Sequence, residues 1–584
     1  MLDAKWGIFG KYRDRPQGPV ERVKHSVPIL LALAVLIQPP APAQTSSDPP
    51  ASPAAQLVDK VFAAMDTKAS PGCAVAAIKN GRILYARGYG MADLAHDIPI
   101  ARGTVFNIGS ESKQFTAASI VLLAQEGKLS LDDQVRKYLP ELPDFGVPIT
   151  IRQVVHHTSG LRDGFRLLEL GGREYTEPAS DADILAVMSR QKDLNFTPGS
   201  RFLYNTSGYV LLAEIVKRVS GQSLSEFTTA RIFQPLGMKS THFRDQPTEV
   251  VKNIAYGYRP FKNGFRLGGI YKGVGPTNLM TTVEDLALWD ENFYHPRVGG
   301  LSMIEQMLER GKLSSGEPLG MAFGLFVDSY RGLTTVGFSG SDGGYRSNIL
   351  RFPDRHFTAV CLCNLAAANP VALTQKLAEV YLDRDMAPRV KPEDTLPGGD
   401  AATVQLSEAQ LRNKVGIYLH PDGIYTRRAT LQNGKLRIDT VGETRAIGEN
   451  HFRGVNAPAD FQFEASRPGG PLRLIETRPG NPKPAVMVFE AAAEFTPSPG
   501  ELTDCAGSYR SGELDAVYEM KIQENKLVLY RLKYEPDTLR PHTRDLFAGN
   551  IGKIRFQRDA KGRVVGFTVT TGTVLNLRFH KKDR

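Results

Sequence analysis

Cysteine is scarce in this sequence: there are four in 584 residues, namely Cys73, Cys361, Cys363 and Cys505. Small secreted proteins that rely on disulfides instead of a large core carry far more, so a disulfide scaffold is excluded. The spacings Cys-x-x-Cys and His-Glu-x-x-His, which place metal ligands on one turn or helix face, are both absent. The sequence therefore predicts no metal site.

Three further absences narrow the function. No dense stripe of Lys and Arg accompanies the formal net charge of +10, so nucleic acid is not a predicted partner. No Gly-x-Ser-x-Gly occurs, which excludes the nucleophile elbow of an α/β-hydrolase. No apolar run reaches the ~20 residues that span a bilayer. With 41% hydrophobic and 23% charged residues, the composition is that of a soluble globular protein.

The first 43 residues have the pattern of an export signal. Basic residues precede an apolar run over residues 27–37, and Ala41-Pro-Ala43 offers small residues for cleavage. We therefore predict a signal peptide over residues 1–43, export to the periplasm or the medium, and no stable membrane span after cleavage. An uncleaved anchor is the alternative. A linker rich in Ser, Pro and Ala follows over residues 44–54.

Length and a change of pattern divide the rest of the chain. A chain of 584 residues is too long for one ordinary core. Residues 55–387 carry strand patterns at both ends and helical patterns between them, which favours a mixed α/β domain. Residues 388–404 are rich in Pro, Gly and charge, and they predict a second linker.

The C-terminal third carries short alternating strands and an internal repeat. Asn-Gly and Asp-Gly pairs separate the strands. Two tripeptides recur 91 residues further on: Gly416-Ile-Tyr418 as Gly507-Ser-Tyr509, and Gly434-Lys-Leu436 as Asn525-Lys-Leu527. The repeat predicts two copies of one β unit, over residues 405–496 and 497–584. A unit of about 90 residues suits a small closed antiparallel barrel.

Ser110 and Lys113 form a candidate nucleophile and base. They stand in Ser-Glu-Ser-Lys, which opens an apolar helical stretch over residues 114–125. Positions i and i+3 share a helical face, so the Lys113 amine can lie beside the Ser110 hydroxyl. A serine hydroxyl needs an adjacent base, and a buried lysine can supply one. The unpaired N–H groups of a helix N-terminus can stabilise an oxyanion.

The context of Ser110 is a series of segments in a fixed order. They are Phe106-Asn-Ile-Gly-Ser-Glu-Ser-Lys-Gln-Phe-Thr-Ala-Ala118, Leu129-Ser-Leu-Asp-Asp-Gln134, Ile149-Thr-Ile-Arg-Gln-Val-Val-His-His-Thr-Ser-Gly-Leu161, Phe202-Leu-Tyr-Asn-Thr-Ser-Gly-Tyr-Val-Leu-Leu212, Met280-Thr-Thr-Val-Glu-Asp-Leu286 and Gly337-Phe-Ser-Gly-Ser-Asp-Gly-Gly-Tyr345. Over residues 55–385 the chain resembles the serine β-lactamase and penicillin-binding-protein-like hydrolases, in particular the class C branch with its D-aminopeptidases and esterases. The resemblance implies an antiparallel sheet packed with helices, a helical lobe, and a site between them. It also implies the layout of the D-aminopeptidases, a catalytic domain followed by two β-barrels.

The resemblance assigns further residues to the site. In this family a tyrosine at the position of Tyr204 relays protons between the serine and the leaving group. The backbone N–H of Ser341 is the second oxyanion donor beside that of Ser110, and Gly340 permits a close approach of backbone to substrate. His156 and His157 are bases by residue type, but the family makes their segment structural.

Two positions depart from the family pattern. Where the family has an asparagine two residues after the tyrosine, this chain has Thr206, and Asn205 stands one residue early. A threonine hydroxyl offers one donor where an amide offers two donors and an acceptor, so amide recognition depends on whether the backbone brings Asn205 into the site. Where the family has a Lys or His cation, this chain has Phe338. With Gly340, these substrate-binding positions favour esters or uncharged amides over substrates with a free carboxylate.

The sequence thus predicts an exported serine hydrolase that forms an acyl-enzyme with a small ester or peptide substrate. Ester hydrolysis ranks slightly above D-amino-acid peptidase activity. This chemistry requires no metal or organic cofactor, and the oligomeric state is left open. The alternative is a catalytically weak or inactive penicillin-binding-like module that binds cell-wall peptides or a protein partner. For the cysteines we expect buried free thiols; because the family fold makes the terminal strands neighbours, a disulfide at Cys73 is the alternative.

Overall fold

A six-stranded sheet organises the N-terminal part of the chain in the computed structural model. The structure describes residues 52–582 apart from 175, 176, 178, 270–272, 390–395, 397–400, 422–424, 480–484 and 494. The predicted signal peptide and most of the two predicted linkers lie outside the described residues. The neighbouring strands pair antiparallel. In spatial order they are β10 (Phe326–Tyr330), β11 (Leu333–Asp342), β12 (Tyr345–Phe352), β13 (Phe357–Cys363), β1 (Cys73–Lys79) and β2 (Arg82–Tyr89).

Alternate residues of β1 point into two separate cores. Ala74, Ala76 and Ile78 pack on the helices that lie between the terminal strands in sequence. Cys73, Val75 and Ala77 pack on the first and last helices of this region. Both faces of β1 and β13 are therefore covered, which explains why these strands read as continuous apolar runs.

The first and last helices of this region cover one face of the sheet, and the helices between them in the sequence cover the other face. None of those in the described part of the chain is long and apolar enough to cross a membrane. In chain order they are α1 (Pro53–Phe62), α2 (Lys113–Gln125), α3 (Ile151–Val155), α4 (Gly164–Leu170), α5 (Asp181–Met188), α6 (Thr206–Ser220), α7 (Leu224–Thr228), α8 (Gln234–Leu236), α9 (Val283–Glu291), α10 (Gly300–Leu308) and α11 (Pro370–Leu382). Short strands complete this region: β3 (Met91–Asp93), β4 (Ile98–Pro99), β5 (Phe106–Asn107), β6 (His242–Phe243), β7 (Tyr258–Phe261), β8 (Gly264–Leu267) and β9 (Leu279–Thr281).

Cys73 and Cys363 stand directly opposite each other on β1 and β13, and they form a disulfide. The expectation of free thiols throughout is therefore wrong for this pair. The alternative, a disulfide at Cys73, is correct, and the structure identifies Cys363, 290 positions away, as its partner through the pairing of the two strands. Cys361 and Cys505 are free and buried, as expected.

The C-terminal third forms two barrel-shaped sheets, each preceded by a short helix. After α12 (Glu408–Arg412), the first sheet closes on itself through pairing of its first and last strands. Its strands are β14 (Gly416–Leu419), β15 (Thr426–Gln432), β16 (Lys435–Ile438), β17 (Gly442–Ala446), β18 (His451–Gly454), β19 (Asp460–Ala465), β20 (Leu472–Arg478) and β21 (Ala485–Ala492).

The second sheet follows α13 (Pro499–Cys505) and has nine strands in the order β25-β24-β23-β22-β30-β29-β28-β27-β26. They are β22 (Gly507–Ser511), β23 (Ala516–Gln523), β24 (Lys526–Tyr530), β25 (Asp537–Thr538), β26 (Arg540–Thr543), β27 (Leu546–Gly549), β28 (Gly552–Arg558), β29 (Val564–Thr571) and β30 (Val574–Lys581). The predicted fold class, a β-lactamase-like α/β unit followed by two antiparallel barrels, is confirmed.

The repeat extends to side-chain contacts. The Tyr418 hydroxyl donates to the Lys414 carbonyl at 2.9 Å, and the Tyr509 hydroxyl donates to the Cys505 carbonyl at 2.8 Å. Each tyrosine thus ties the first strand of its sheet to the end of the preceding helix. The same sequence unit builds the same local structure twice, whereas the exact domain boundaries stay predictions.

Candidate active site

Ser110 lies on a turn that leads directly into α2. A 3₁₀ turn spans Gly109–Ser112, and the α-helix begins at Lys113. The Lys113 amine donates to the Ser110 Oγ at 3.0 Å, and the Tyr204 hydroxyl donates to the same oxygen at 3.0 Å. The structure thus brings all three predicted side chains together, although Tyr204 stands 94 residues further along the chain.

The Lys113 side chain is fully buried. Its Nζ also donates to the Pro276 carbonyl at 3.0 Å, and it lies 5.0 Å from the ring centre of Tyr204 and 5.6 Å from that of Tyr209. The oxygens to which this amine donates are thus a hydroxyl and a carbonyl, not a carboxylate. A buried lysine held by a carbonyl and aromatic faces, next to a serine hydroxyl, is suited to exchange a proton with that serine.

Ser341 approaches Ser110 because two backbones touch without intervening side chains. A Cβ on Gly109 would lie 2.6 Å from the Ser341 nitrogen, and a Cβ on Gly340 would lie 1.9 Å from the Ile108 oxygen. Gly109 also has a φ of +53°, which favours glycine. Strand β11 can therefore lie directly against the turn that carries Ser110. Ser110 and Ser341, whose N–H groups are the predicted oxyanion donors, both line one pocket.

Thr206, not Asn205, faces this pocket. Asn205 is the N-cap of α6: its Oδ1 accepts from the Gly208 N–H at 2.9 Å and its Nδ2 donates to the Leu161 carbonyl at 2.6 Å. The side chain is 4% exposed, so the cap and the Leu161 carbonyl use its amide. The backbone therefore does not bring Asn205 into the site, and Thr206 lines the pocket instead.

Phe338 supplies an apolar surface beside Tyr204. Its ring is 8% exposed and stacks on Phe326 with centroids 5.3 Å apart and on Tyr204 with centroids 6.3 Å apart. A cation at this position would lie between two aromatic rings next to the reacting groups. The structure thus shows an aromatic stack where the family pattern has a charge.

The pocket around Ser110 has a volume of about 310 Å³ and an acidic lining. Its charged lining residues are two arginines, Arg166 and Arg173, and five acids, Asp163, Glu169, Glu174, Glu177 and Asp342. Burial raises the pKa of Asp342, while the Thr277 hydroxyl, which donates to it at 2.5 Å, and the Asn107 amide act in the opposite direction. Glu169 pairs with Arg166 at 2.5 Å and Glu177 pairs with Lys533 at 2.6 Å, so ion pairs offset part of this acidic charge.

Two functional residues escaped the sequence reasoning. Asp163 caps α4, and its Oδ2 also accepts from the N–H groups of Thr206 and Ser207 at 2.8 and 3.0 Å, which fixes the pocket end of α6. Asp342 reads first as a turn residue, since Gly-Gly follows it. The only sequence signal for Asp342 is that it directly follows Ser341, the predicted oxyanion donor.

His157 packs behind the site, in agreement with the structural role expected from the family. It is fully buried, its ring lies 4.5 Å from that of Tyr204, and its Nδ1 accepts from the Asn205 N–H at 3.1 Å. Burial, together with the nearby charge of Lys113, holds the pKa of His157 well below its usual range. The imidazole is therefore neutral at pH 7 and supports the tyrosine ring.

Comparison with known proteins decides the family. The family model for beta-lactamase matches residues 57–381, which is more than half of the chain. The chain belongs to the beta-lactamase family. This beta-lactamase-family hydrolase is 27% identical to a D-aminopeptidase of Cereibacter sphaeroides over 76% of its own length and 80% of the relative's. It is 26% identical to a D-aminopeptidase of Brucella anthropi over 85% and 93% of the two chains.

A solved structure extends the likeness beyond the catalytic region. The octameric penicillin-binding protein homologue of Pyrococcus abyssi matches with a TM-score of 0.51 and 23% identity, over 82% of this chain and 99% of that one. At this identity the likeness shows the fold. It agrees with an antiparallel sheet, packed helices and further C-terminal structure.

Proposed function

We propose that this beta-lactamase-family hydrolase cleaves small esters or amides through an acyl-enzyme formed on Ser110. The observation that carries the proposal is the convergence of the Lys113 amine and the Tyr204 hydroxyl on one serine oxygen, each at 3.0 Å. A hydroxyl contacted by a buried amine and a phenol, at the mouth of a pocket, is the arrangement of an activated nucleophile.

The reaction proceeds in two halves. The Lys113–Tyr204 pair, with one of its two groups deprotonated, accepts the Ser110 proton as the Ser110 Oγ attacks the substrate carbonyl. The resulting oxyanion accepts from the N–H groups of Ser110 and Ser341. Collapse of this intermediate breaks the bond to the leaving group, which takes the proton back from Tyr204. A water molecule then attacks the acyl-enzyme with the same groups, which releases the acid and restores Ser110.

The lining of the site favours esters and uncharged amides. Phe338 offers ring contact where a cation would attract a substrate carboxylate, and Thr206 offers one hydroxyl where an amide would bind a substrate amide. The acidic groups at the pocket also repel a carboxylate. We therefore rank ester hydrolysis first.

A second candidate, a D-amino-acid aminopeptidase, has its own support. Five acids against two arginines at the pocket favour an acyl group that carries an ammonium. The relatives from Cereibacter sphaeroides and Brucella anthropi are named D-aminopeptidases. Esters and amides of one D-amino acid, compared with their N-acetyl forms, separate the two candidates.

We also propose that the protein is exported. The pattern of residues 1–43 supports this, and so does the Cys73–Cys363 disulfide, since disulfides persist in oxidising compartments. Intact mass of the protein from the periplasm or medium should show a chain that begins after Ala43. A chain that keeps its first 43 residues in the membrane fraction would support the uncleaved anchor.

The decisive experiment is covalent labelling of Ser110. We expect a fluorophosphonate to add one equivalent to the wild-type protein, as measured by intact mass, and to leave Ser110→Ala unlabelled. Lys113→Ala and Tyr204→Phe should each lower kcat for a p-nitrophenyl ester by at least ~10², as the loss of a positioned acid–base group does. Labelling by the phosphonate but not by a penicillin favours the esterase. An unlabelled, inactive wild type would instead leave a penicillin-binding-like module that binds wall peptides or a protein.

A further inference from the structure

Two buried hydrogen bonds tie the nucleophile turn to strand β12. The Ser347 Oγ donates to the Ile108 carbonyl at 2.7 Å. The Ile349 N–H donates to the Glu111 Oε1 at 2.7 Å. Ser347 and Glu111 are both fully buried, so neither bond is shared with solvent. We call these two bonds the clasp.

The clasp lies opposite the substrate-binding stretch of β11. In the register of the two strands, Gly340 pairs with Ser347 and Phe338 pairs with Ile349. Ser341, the predicted oxyanion donor, is the next residue of β11. The clasp thus links the turn that carries Ser110 to the strand that holds Ser341 in place.

Glu111 is held at both carboxyl oxygens. Its Oε2 accepts from the Gln114 Nε2 at 2.9 Å, and the Gln114 Oε1 accepts from the Trp289 Nε1 at 2.7 Å. Donors thus reach each oxygen of this buried carboxyl group, although burial still raises the pKa of Glu111 well above its usual range. The side chain therefore has one defined position, which makes it a rigid link instead of a flexible one.

The backbone contacts at Gly109 and Gly340 do not by themselves fix the register of the two segments. They set how closely β11 can approach the turn, but van der Waals contact resists sliding only weakly. Hydrogen bonds are directional, and two of them fix both the position and the orientation of the turn along the strand. The oxyanion donors must stand 2.7–3.1 Å from the developing charge, so small displacements matter.

We propose that Ser347 and Glu111 are positioning residues that set the separation between the N–H groups of Ser110 and Ser341. The inference rests on the proposed function, because it assigns these two N–H groups to the oxyanion. Neither residue contacts the pocket. Loss of either bond leaves both donors present but displaced, so the transition state loses more stabilisation than the bound substrate does.

The test compares substrate and transition-state binding in clasp variants. Ser347→Ala removes one bond. Glu111→Gln turns an amide NH₂ toward the NH₂ of Gln114, and the exchange Glu111→Gln with Gln114→Glu restores the donor–acceptor order. Thr374→Val is the control, since its buried hydroxyl lies 3.3 Å from the Asn348 Oδ1 of the same strand and 3.0 Å from the carbonyls of Pro370 and Val371 in its own helix, without contacting the turn. Each variant is assayed with p-nitrophenyl acetate, for inhibition by phenylboronic acid, which forms a tetrahedral adduct on serine, and for Tm.

We expect Ser347→Ala and Glu111→Gln each to lower kcat by at least tenfold while KM stays within twofold. The affinity for phenylboronic acid should fall by the same factor as kcat. A lost oxyanion donor costs ~10²–10³, and a displaced donor costs less. The exchange variant should recover most of the loss, while Thr374→Val keeps wild-type kcat at a comparable Tm. Should Glu111→Gln fail to fold, Ser347→Ala decides.

Three outcomes overturn the inference. Clasp variants that keep wild-type kcat and boronate affinity would show that the glycine contacts suffice. An equal loss in Thr374→Val would show a general effect of weakening β12. A wild type that forms no adduct at Ser110 removes the proposed function and this inference together, whereas adducts of unchanged affinity in the variants remove the inference only.

Discussion

At the scale of single residues, Phe338 distinguishes this site from its family pattern. The ring is nearly buried between Phe326 and Tyr204. It places an apolar group where the family has a charge, and it excludes water from the surface next to the Tyr204 hydroxyl. A cation placed there lies in a poorly hydrated surrounding, where a hydrogen bond to a carboxylate is worth more than in water. Position 338 should therefore control the charge that the substrate carries.

Phe338→Lys should shift preference toward substrates with a carboxylate. A charge-assisted hydrogen bond contributes ~1.5–3 kcal/mol, or roughly ten- to a hundredfold in kcat/KM. The measurement is the ratio of kcat/KM for an ester that ends in a carboxylate and for its carboxamide analogue. Thr334→Lys is the control, because it adds the same charge at an exposed position of the same strand. An unchanged ratio in Phe338→Lys, or an equal shift in the control, would contradict this role.

We expect His542 to make the free energy of unfolding depend on pH. It lies on β26, is 7% exposed, and its Nδ1 has no hydrogen-bond partner among the described residues. Burial, and then the charges of Arg428, Lys553 and Arg540, lower the pKa of His542 to about 4. Because the folded pKa is depressed, the stabilisation is complete above the unfolded pKa of about 6.5 and is lost as pH falls toward 4.

We expect the free energy of unfolding to fall by about 2 kcal/mol from this group between pH 7.5 and 5. His542→Gln should remove that part of the pH dependence in urea titrations at the two pH values. His580→Gln, at an exposed position of β30, is the control and should keep the wild-type slope. Identical slopes in wild type and His542→Gln would mean that His542 does not titrate in this range.

At the scale of elements, the position at which α6 begins sets which polar side chain, Asn205 or Thr206, lies at the pocket. Asn205 caps the helix, and the first residue of the helix, Thr206, then lies on the pocket wall. The Asp163 carboxylate accepts hydrogen bonds from the N–H groups of Thr206 and Ser207, so this end of the helix has a fixed position. A shift of one residue along a helix rotates a side chain by about 100°, which is enough to exchange a pocket position for a buried one.

Asn205→Ala should therefore lower stability and leave substrate preference unchanged. Loss of an N-cap costs about 1–2 kcal/mol, here with a second bond to the Leu161 carbonyl. Thr206→Asn should do the reverse, with little change in stability and an altered ratio of kcat/KM for an amide and its matching ester. Urea unfolding and steady-state kinetics on both variants check the pair. A change of preference in Asn205→Ala would place its amide in the site.

At the scale of the whole molecule, the second C-terminal sheet supports the pocket wall. Its core is continuous with that of the catalytic region. The Tyr518 hydroxyl donates to the Leu170 carbonyl at 2.6 Å, and the Tyr534 hydroxyl donates to the Arg173 carbonyl at 2.9 Å. Leu170 and Arg173 belong to α4 and to the segment after it, and other residues of these two segments line the pocket together with Arg173. The wall is thus held from behind by a different part of the chain.

The Arg162–Glu513 ion pair is the polar centre of this contact. The two side chains are 0% and 5% exposed and 2.6 Å apart, and the guanidinium also donates to the Leu575 and Asn576 carbonyls. Arg162→Leu should cost ~3–5 kcal/mol of stability, because it leaves a buried carboxylate without its partner. It should also lower kcat/KM, because Asp163 follows directly in the chain and holds Thr206.

Three variants measured by urea unfolding and ester kinetics check this prediction. Adding Glu513→Leu to Arg162→Leu should recover part of the stability, since no buried charge is then left unpaired. Arg578→Ala breaks a pair with Asp193 across the same contact, 50% and 37% exposed, and should cost less than ~1 kcal/mol. Equal costs for the buried and exposed pairs would show that this sheet contributes little to the pocket wall.

Features that depend on local pattern could be predicted from the amino-acid sequence. Ser110 and Lys113 are three residues apart at a helix start, so helical geometry brings them together. The two β units repeat at 91 residues, so one local pattern folds twice. The order of the segments around Ser110 indicated the fold class, which the structure and the family model confirm.

Features that depend on contacts between distant parts of the chain could be read only from the folded protein. The Cys73–Cys363 disulfide, the burial of Asn205 and the role of Asp163 follow from how strands pair and helices end against each other. The alternating strands of the second sheet do not indicate that it docks behind the pocket. An apolar face has the same sequence pattern whichever surface covers it. A one-dimensional pattern specifies which face of an element is apolar, but its partner is selected by packing over the whole chain.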